Sequence, residues 1–376
     1  MRTPRLPFRA AAVVMATVSL LVSAIGADPI DWDRARDLYQ RSQRGEQLSP
    51  DDQAYLDRAK QAHAAMDAAR NQGSPPANTT TGSTETGFVP LTDLTGKYKG
   101  EDGGLYGAGL NTPPPELATA AKTETAKIQP LDADGNPSPD GKIVLLSIGM
   151  SNTTMEFSRF ALLAGIDQEK SPSLVIVDGA QGGQTADRIA TDTAPFWTVI
   201  GQRLKVAGVT PAQVQVIWLK EANANPKAGF PDEARHLKNS LVEDMAIAKK
   251  DYPNLHIAYL SSRIYAGYAN IPLNPEPYAY EGAFAVRWAI QEQSKAAAKP
   301  GDVAAKPGVQ LPLMLWGPYL WADGLKGRKA ADLVWKREDF GPDGTHPSEL
   351  GRQKVAIQLL DFFKTDPNTQ TWFVKK

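Results

Sequence analysis

From Lys142 onward, short runs that are apolar at nearly every position alternate with stretches whose apolar residues recur at helical spacing. The runs are Ile143–Ile148, Leu174–Val177, Val214–Leu219, Leu255–Leu260 and Leu311–Trp316, and each predicts a strand. Between and after them, helices are expected over Glu156–Ile166, up to Val206, over Pro231–Lys250, over Tyr280–Ala298 and over Pro347–Lys364. A strand that is apolar on both faces must be covered on both faces. The α/β arrangement that satisfies five such strands is a parallel sheet between two layers of helices. Ligands of such sheets bind beyond the carboxyl ends of the strands, so the loops there carry the chemistry.

Four of those loops hold reactive or hydrogen-bonding residues. After the first strand comes Gly149-Met150-Ser151-Asn152, where a strand-to-helix turn can present a hydroxyl beside the backbone N–H groups of a helix start. After the second comes Asp178-Gly179-Ala180-Gln181-Gly182-Gly183, where glycine lets a backbone N–H approach closely. After the third comes Lys220-Glu221-Ala222-Asn223-Ala224-Asn225, and an Asn amide there is a donor suited to a developing oxyanion. Before the last helix comes Gly341-Pro342-Asp343-Gly344-Thr345-His346-Pro347, with Pro347 expected at the first helical position and His346 at the cap. An Asp three residues before a His can bend back and fix the imidazole tautomer. Each block is weak alone, being also what an ordinary turn or cap looks like. In series they supply a nucleophile, an oxyanion hole and a general base, the set needed for acyl transfer through a serine ester.

Composition removes several competing chemistries. The 376 residues include no Cys, which excludes disulfides, thiolate metal sites, iron–sulfur clusters and a cysteine nucleophile. A formal charge of −1 lacks the basic excess of a nucleic-acid or anionic-membrane binder. The four His, at positions 63, 236, 256 and 346, lie on unrelated segments, so no metal site is expected. Asp132-Ala133-Asp134-Gly135-Asn136 opens like a calcium loop, but Pro137 and Ile143 stand at its sixth and twelfth positions, and it reads as a turn.

Taken together, Gly149-Met150-Ser151-Asn152, Gly183, Asn223 and Asp343-Gly344-Thr345-His346 resemble the four blocks of the SGNH (GDSL-type) hydrolase superfamily. The Gly-x-Ser-Asn form is similar to its carbohydrate acetylesterase branch. The resemblance spans roughly residues 141–366. It implies a three-layer α/β/α, flavodoxin-like sandwich that hydrolyses a carboxylic ester without metal or cofactor. Carried over by position, Ser151 is the nucleophile, and His346 the base oriented by Asp343. The oxyanion donors are the Ser151 N–H, the Gly183 N–H and the Asn223 side chain. Met150 departs from the usual Asp or Gln, and Ala222 and Ala224 from the Gly and Asp that normally flank the Asn, so Asn225 is an alternative to Asn223. A general α/β-hydrolase is disfavoured because Thr153 stands where its nucleophile elbow needs Gly.

The rest of the chain is organised around this region. Residues 1–27, with Arg2, Arg5 and Arg9 before an apolar stretch from Ala10 to Ile25, have the layout of a secretory signal peptide. Cleavage after Gly26 or Ala27 leaves 38 basic against 42 acidic residues, a charge of −4. Residues 28–72 predict a small helical hairpin with Ser49 as an N-cap, 73–86 a polar linker, and 87–140 a turn-rich extension. Aromatic residues crowd the later loops, and Tyr265, Tyr278, Trp316 and Tyr319 are candidates for contacting sugar faces. The expectation is an exported, periplasmic or extracellular serine esterase acting on O-acetyl groups of carbohydrate. Its partner would be an ester such as an acylated polysaccharide, with no nucleic acid and no membrane span once the signal is removed. Two alternatives use the same surface: an O-acyltransferase, and a non-catalytic glycan-binding protein.

Overall fold

The computed structural model describes residues 38, 41, 46–59, 61, 84–295, 297–299, 301–329 and 333–375. The expected signal peptide, most of the hairpin and most of the linker lie outside them. Cα packing divides the chain into two units, 1–77 and 78–376. In the first, residues 50–59 are helical, and Ser49 Oγ accepts the Asp52 N–H at 3.1 Å.

The second unit is built on five parallel strands: β3 (Ile143–Gly149), β4 (Leu174–Asp178), β5 (Val214–Lys220), β6 (Ile257–Leu260) and β7 (Leu313–Trp316). Their order across the sheet is β4-β3-β5-β6-β7. β3 and β5 have no exposed residue because helices cover both faces. On one face lie α2 (Ser151–Ile166) and α7 (Glu349–Thr365), and on the other α5 (Asp232–Asp251) and α6 (Tyr278–Glu292), while α3 (Ala186–Ile189) and α4 (Pro195–Val206) connect β4 to β5. Phe157 of α2 stacks on Trp218 of β5 with ring centroids 5.6 Å apart, and Phe160 meets Phe363 of α7 at 5.4 Å. This is a three-layer α/β fold with flavodoxin-like strand order. The chain leaves β3 toward β4 on one side and returns to β5 on the other, which opens a crevice at the carboxyl ends of β3 and β5.

The strand cores fall where the apolar runs put them, and the ends move. β6 and β7 each start two residues later than expected. Helix α6 stops at Glu292 rather than at Ala298 because the next residue is used against the sheet edge. Gln293 Oε1 accepts the Met314 N–H, and its Nε2 donates to Met314 O, both at 2.8 Å. The side chain thus pairs the open edge of β7.

The extension is part of this body. It holds the hairpin β1 (Lys97–Tyr98) and β2 (Glu101–Asp102), and a helix α1 (Pro115–Thr125) that the proline-rich start concealed. Pro115 occupies the first helical turn, where a missing N–H costs nothing. Leu91, Leu105, Ala121 and Ile128 are all buried in the common core. Asp132-Asn136 is a turn, closed by Asp132 N–H to Asn136 O at 2.8 Å. The extension starts from a buried anchor. Asp323, fully buried, accepts Thr86 N–H at 2.6 Å, Thr86 Oγ1–H at 2.7 Å and Gly87 N–H at 3.1 Å. Thr84 O accepts the Leu325 N–H at 2.9 Å, against Gly324, where a β-carbon would lie 1.7 Å from that oxygen. Asp323→Ala strands three donors, so unfolding by urea should show a loss of roughly 3 kcal/mol. An unchanged midpoint would mean that the extension is held by its apolar contacts alone.

Candidate active site

The loops after β3, β4 and β5 and the loop before α7 meet at the carboxyl edge of the sheet. Met150, in extended conformation, is the N-cap of α2, which makes Ser151 the first helical residue, earlier than the periodicity indicated. Gly149 is required behind it, since a β-carbon there would lie 2.4 Å from Thr153. Ser151 is half-buried, at a helix terminus whose first N–H groups have no partner within the helix.

The loop before α7 delivers the imidazole. Pro347 and His346 lie ahead of the helix and not at its first turn and cap. The N-cap is Ser348, whose Oγ accepts the Gly351 N–H, and a bridge between Phe340 and Pro347 keeps this stretch extended. Asp343 bends back: Oδ1 accepts the N–H groups of Thr345 at 2.9 Å and His346 at 3.0 Å, and Oδ2 lies 2.6 Å from His346 Nδ1. Gly344, at φ +64°, packs so tightly on Tyr268 that a β-carbon would lie 1.8 Å from its carbonyl oxygen. On the far side of the ring, His346 Nε2 is 2.8 Å from Ser151 Oγ. Asn152 ties the two loops together, its Nδ2 donating to Thr345 O at 2.9 Å from a fully buried position.

Electrostatics fix the protons in this chain of three. Burial pushes the Asp343 carboxyl up, but the bonds from the His346 ring and from the His346 and Thr345 N–H groups outweigh it and bring it down to about 2. An ionised carboxylate only accepts, so Nδ1 carries the hydrogen and Nε2 presents its lone pair to the Ser151 hydroxyl. The arrangement can take a proton from Ser151 Oγ.

The other predicted residues are placed unevenly. Gly183 has φ +76°, and its carbonyl accepts from Arg188 Nη1 at 2.9 Å. The neighbouring Gly182 faces the serine, since a β-carbon there would lie 4.0 Å from Ser151 Cβ, whereas one on Gly183 meets nothing. Asn223 is buried at the end of the β5 loop. Its Oδ1 accepts the Asp187 N–H at 3.2 Å, and its Nδ2 lies 3.4 Å from His236 Nδ1. Among the described residues it makes no hydrogen bond to Ser151 or His346. Asn225 is exposed at φ +53°, with its N–H on Leu273 O.

Three of the four aromatic candidates must be corrected. Tyr265, Trp316 and Tyr319 are 0%, 5% and 4% exposed and belong to the core. Trp316 Nε1 donates to Leu105 O at 2.6 Å, and the Tyr319 hydroxyl accepts the Leu91 N–H at 3.0 Å. Both therefore bind the extension. Tyr265 packs on Tyr268 and Trp321. Tyr278 alone is partly open, in a small cleft with Asn223, Glu233 and Asn274.

Beneath the site lies a charged layer that the sequence patterns did not reveal. Lys220, the last residue of β5, pairs with Glu156 of α2 at 2.7 Å, and both are buried. Burial raises the Glu156 carboxyl and lowers the Lys220 ammonium, each opposed by the other's charge. Among the described residues no group of three or more His, Asp or Glu side chains is arranged to hold a metal ion.

No family model and no curated protein matches the chain. It is similar to several solved structures. One is a carbohydrate esterase family 3 from Talaromyces cellulolyticus, at 15% identity and TM-score 0.32, with 58% of this chain and 94% of that chain covered. Another is a salicylyl-acyltransferase from a tetracycline biosynthetic pathway, at 17% identity and TM-score 0.32, with 59% and 54% covered. A third is the periplasmic domain of a lipopolysaccharide acetyltransferase from Salmonella ser. Paratyphi A, at 10% identity and TM-score 0.33, with 66% and 96% covered. Among the described residues no helix is long and apolar enough to cross a membrane.

The depressed Asp343 carboxyl has a consequence for stability. Its folded value lies below the ordinary aspartate value of 3.8, so its contribution is complete above that value and is lost as pH falls toward about 2. In Asp343→Asn the stability deficit measured by urea unfolding should therefore be constant near neutrality and shrink between pH 4 and 2. A deficit independent of pH would show that the carboxylate charge is not what stabilises the loop.

Proposed function

We propose that this protein is an exported serine esterase of the SGNH type, with the O-acetyl groups of carbohydrate as its substrate class. One observation supports this above all: a hydroxyl, an imidazole and an ionised carboxylate bonded in line at 2.8 and 2.6 Å, at the crevice of a parallel sheet. The acetyl–carbohydrate substrate follows the Gly-x-Ser-Asn block, and export follows the Arg-containing, then apolar, start of the chain.

The reaction runs in two halves. His346 Nε2 takes the Ser151 proton as Oγ attacks the ester carbonyl carbon, and the carbonyl electrons move onto oxygen. Asp343 stabilises the imidazolium that forms. The oxyanion is met by the Ser151 N–H at the start of α2, by a glycine N–H of the β4 loop, and by Asn223, whose Nδ2 keeps a second hydrogen besides the one directed at His236. Collapse expels the alcohol, which takes the proton from Nε2. Water then repeats the sequence on the acyl-serine, giving the carboxylic acid and free Ser151.

With p-nitrophenyl acetate as probe, Ser151→Ala should lose on the order of 10³-fold in kcat/KM. A fluorophosphonate should label the wild type and not the variant. Equal hydrolysis by both proteins would remove the esterase reading. With a sugar acceptor present, acyl-sugar in place of free acid would assign the same centre to acyl transfer.

A further inference from the structure

Asp178 is the last residue of β4 and pairs with Ser147 of β3, the final pair of that ladder. Beyond it the two chains part, one to the start of α2 and the other to the glycine loop. The carboxylate spans the gap. Its Oδ1 accepts the Ser147 hydroxyl at 2.7 Å and the Ala180 N–H at 3.1 Å. Its Oδ2 accepts the hydroxyls of Thr154 at 2.5 Å and Ser158 at 2.7 Å. A carboxylate offers about four lone-pair sites, and these donors use them all.

Thr154 and Ser158 are four residues apart, so they share one face of the first turns of α2, directly after Ser151. A Ser or Thr inside a helix commonly returns its hydroxyl to the carbonyl four residues back. Thr119 and Thr123 of α1 do so, bonding to Pro115 O and Thr119 O. Thr154 and Ser158 turn outward to β4 instead. The loop is held from its other sides as well. Ser147 Oγ accepts the Gly179 N–H at 3.1 Å, and Arg203 Nη1 of α4 donates to Asp178 O and Ala180 O, both at 2.8 Å. Gln181 N–H reaches Gly149 O at 2.9 Å. Gly182, which faces Ser151, is the next residue.

We propose that Asp178 is a positioning residue of the Ser151 centre: its carboxylate fixes the start of α2 against the β4 loop, so that the Ser151 N–H and a glycine N–H of that loop converge on one oxyanion. It acts through those two amides and touches no reacting atom. The inference rests on the esterase reading, which draws its oxyanion donors from separate stretches of chain. Donors on separate segments are preorganised only when the segments are joined, and a loose pair would have to be gathered during the reaction itself. Where the backbone ladder stops, Asp178 continues the joint with side chains.

The test compares p-nitrophenyl acetate with its thiono analogue, in which sulfur replaces the carbonyl oxygen. Sulfur accepts hydrogen bonds poorly, so aligned oxyanion donors favour the oxygen ester. Asp178→Ala cuts the joint from the loop side. Thr154→Val combined with Ser158→Ala cuts it from the helix side and leaves Asp178 its bonds to Ser147 and Ala180. In each, kcat/KM for the oxygen ester should fall on the order of tenfold or more, and the oxygen-to-thiono ratio of kcat/KM should fall with it. Asp178→Asn keeps an oxygen for Ala180 and places an amide against the two hydroxyls, so it should recover most of the loss. Should Asp178→Ala not fold, the helix-side double variant carries the same expectation. Folded variants that hydrolyse the two esters in the wild-type ratio overturn the proposal, even where both rates fall, since general loosening would lower them together. Hydrolysis indifferent to Ser151→Ala is a different result, which removes the esterase reading and this role of Asp178 with it.

Discussion

A hydrogen bond of 2.8 Å between Ser151 and His346 joins residues separated by 195 positions of chain. Its length can be held only if both ends are stiff. At the serine end, Gly149 lets Thr153 close on the strand, and Thr153 Oγ1 donates to Lys220 O at 2.5 Å, which ties the start of α2 to β5. At the histidine end, Asp343 takes two backbone N–H groups and the ring, and Gly344 is wedged against Tyr268. Asn152 then crosses between them to Thr345. A displacement of one ångström would break the proton path, so these second-rank contacts matter as much as the three residues they orient.

The same edge concentrates buried charge to an unusual degree. Glu156, Lys220, Glu221 and Arg263 are each at most 2% exposed. Such groups rarely add to stability relative to apolar residues of similar size, because removing them from water costs more than their attraction returns.

Much of this was legible from sequence because the relevant signals are local. Both faces of β3 and β5 are buried, so Ile143–Ile148 and Val214–Leu219 read as apolar at almost every position, and such runs locate strands without any knowledge of neighbours. Ser151 stands out because it sits just past the end of such a run, and Asp343-x-x-His346 because it stands directly before the last helical stretch. Helix α1 was hidden because Pro113-Pro114-Pro115 looks like a breaker until one knows that Pro115 occupies the first turn. The inward direction of the Trp316, Tyr319 and Tyr265 rings was not legible because an aromatic at a strand end or in a loop carries no mark of which way it faces: the first two hold the extension, and Tyr265 packs on Tyr268 and Trp321. The clasp from Asn152 to Thr345 depends on chain segments more than a hundred residues apart. No local pattern encodes it.

The anchoring of Thr86 by Asp323 shapes how the molecule can be made. Its two partners are 237 positions apart, and the strap that begins at Thr84 is synthesised before any strand of the sheet that it will cover. Until Asp323, Trp316 and Tyr319 exist, Leu91 and Leu105 have nowhere to go. Closure over such distances carries a large entropic barrier, and the last strand must be in place before the first apolar residues are sheltered. The apolar face of the extension therefore gains its cover only when nearly the whole chain is present, and until then it is exposed to aggregation.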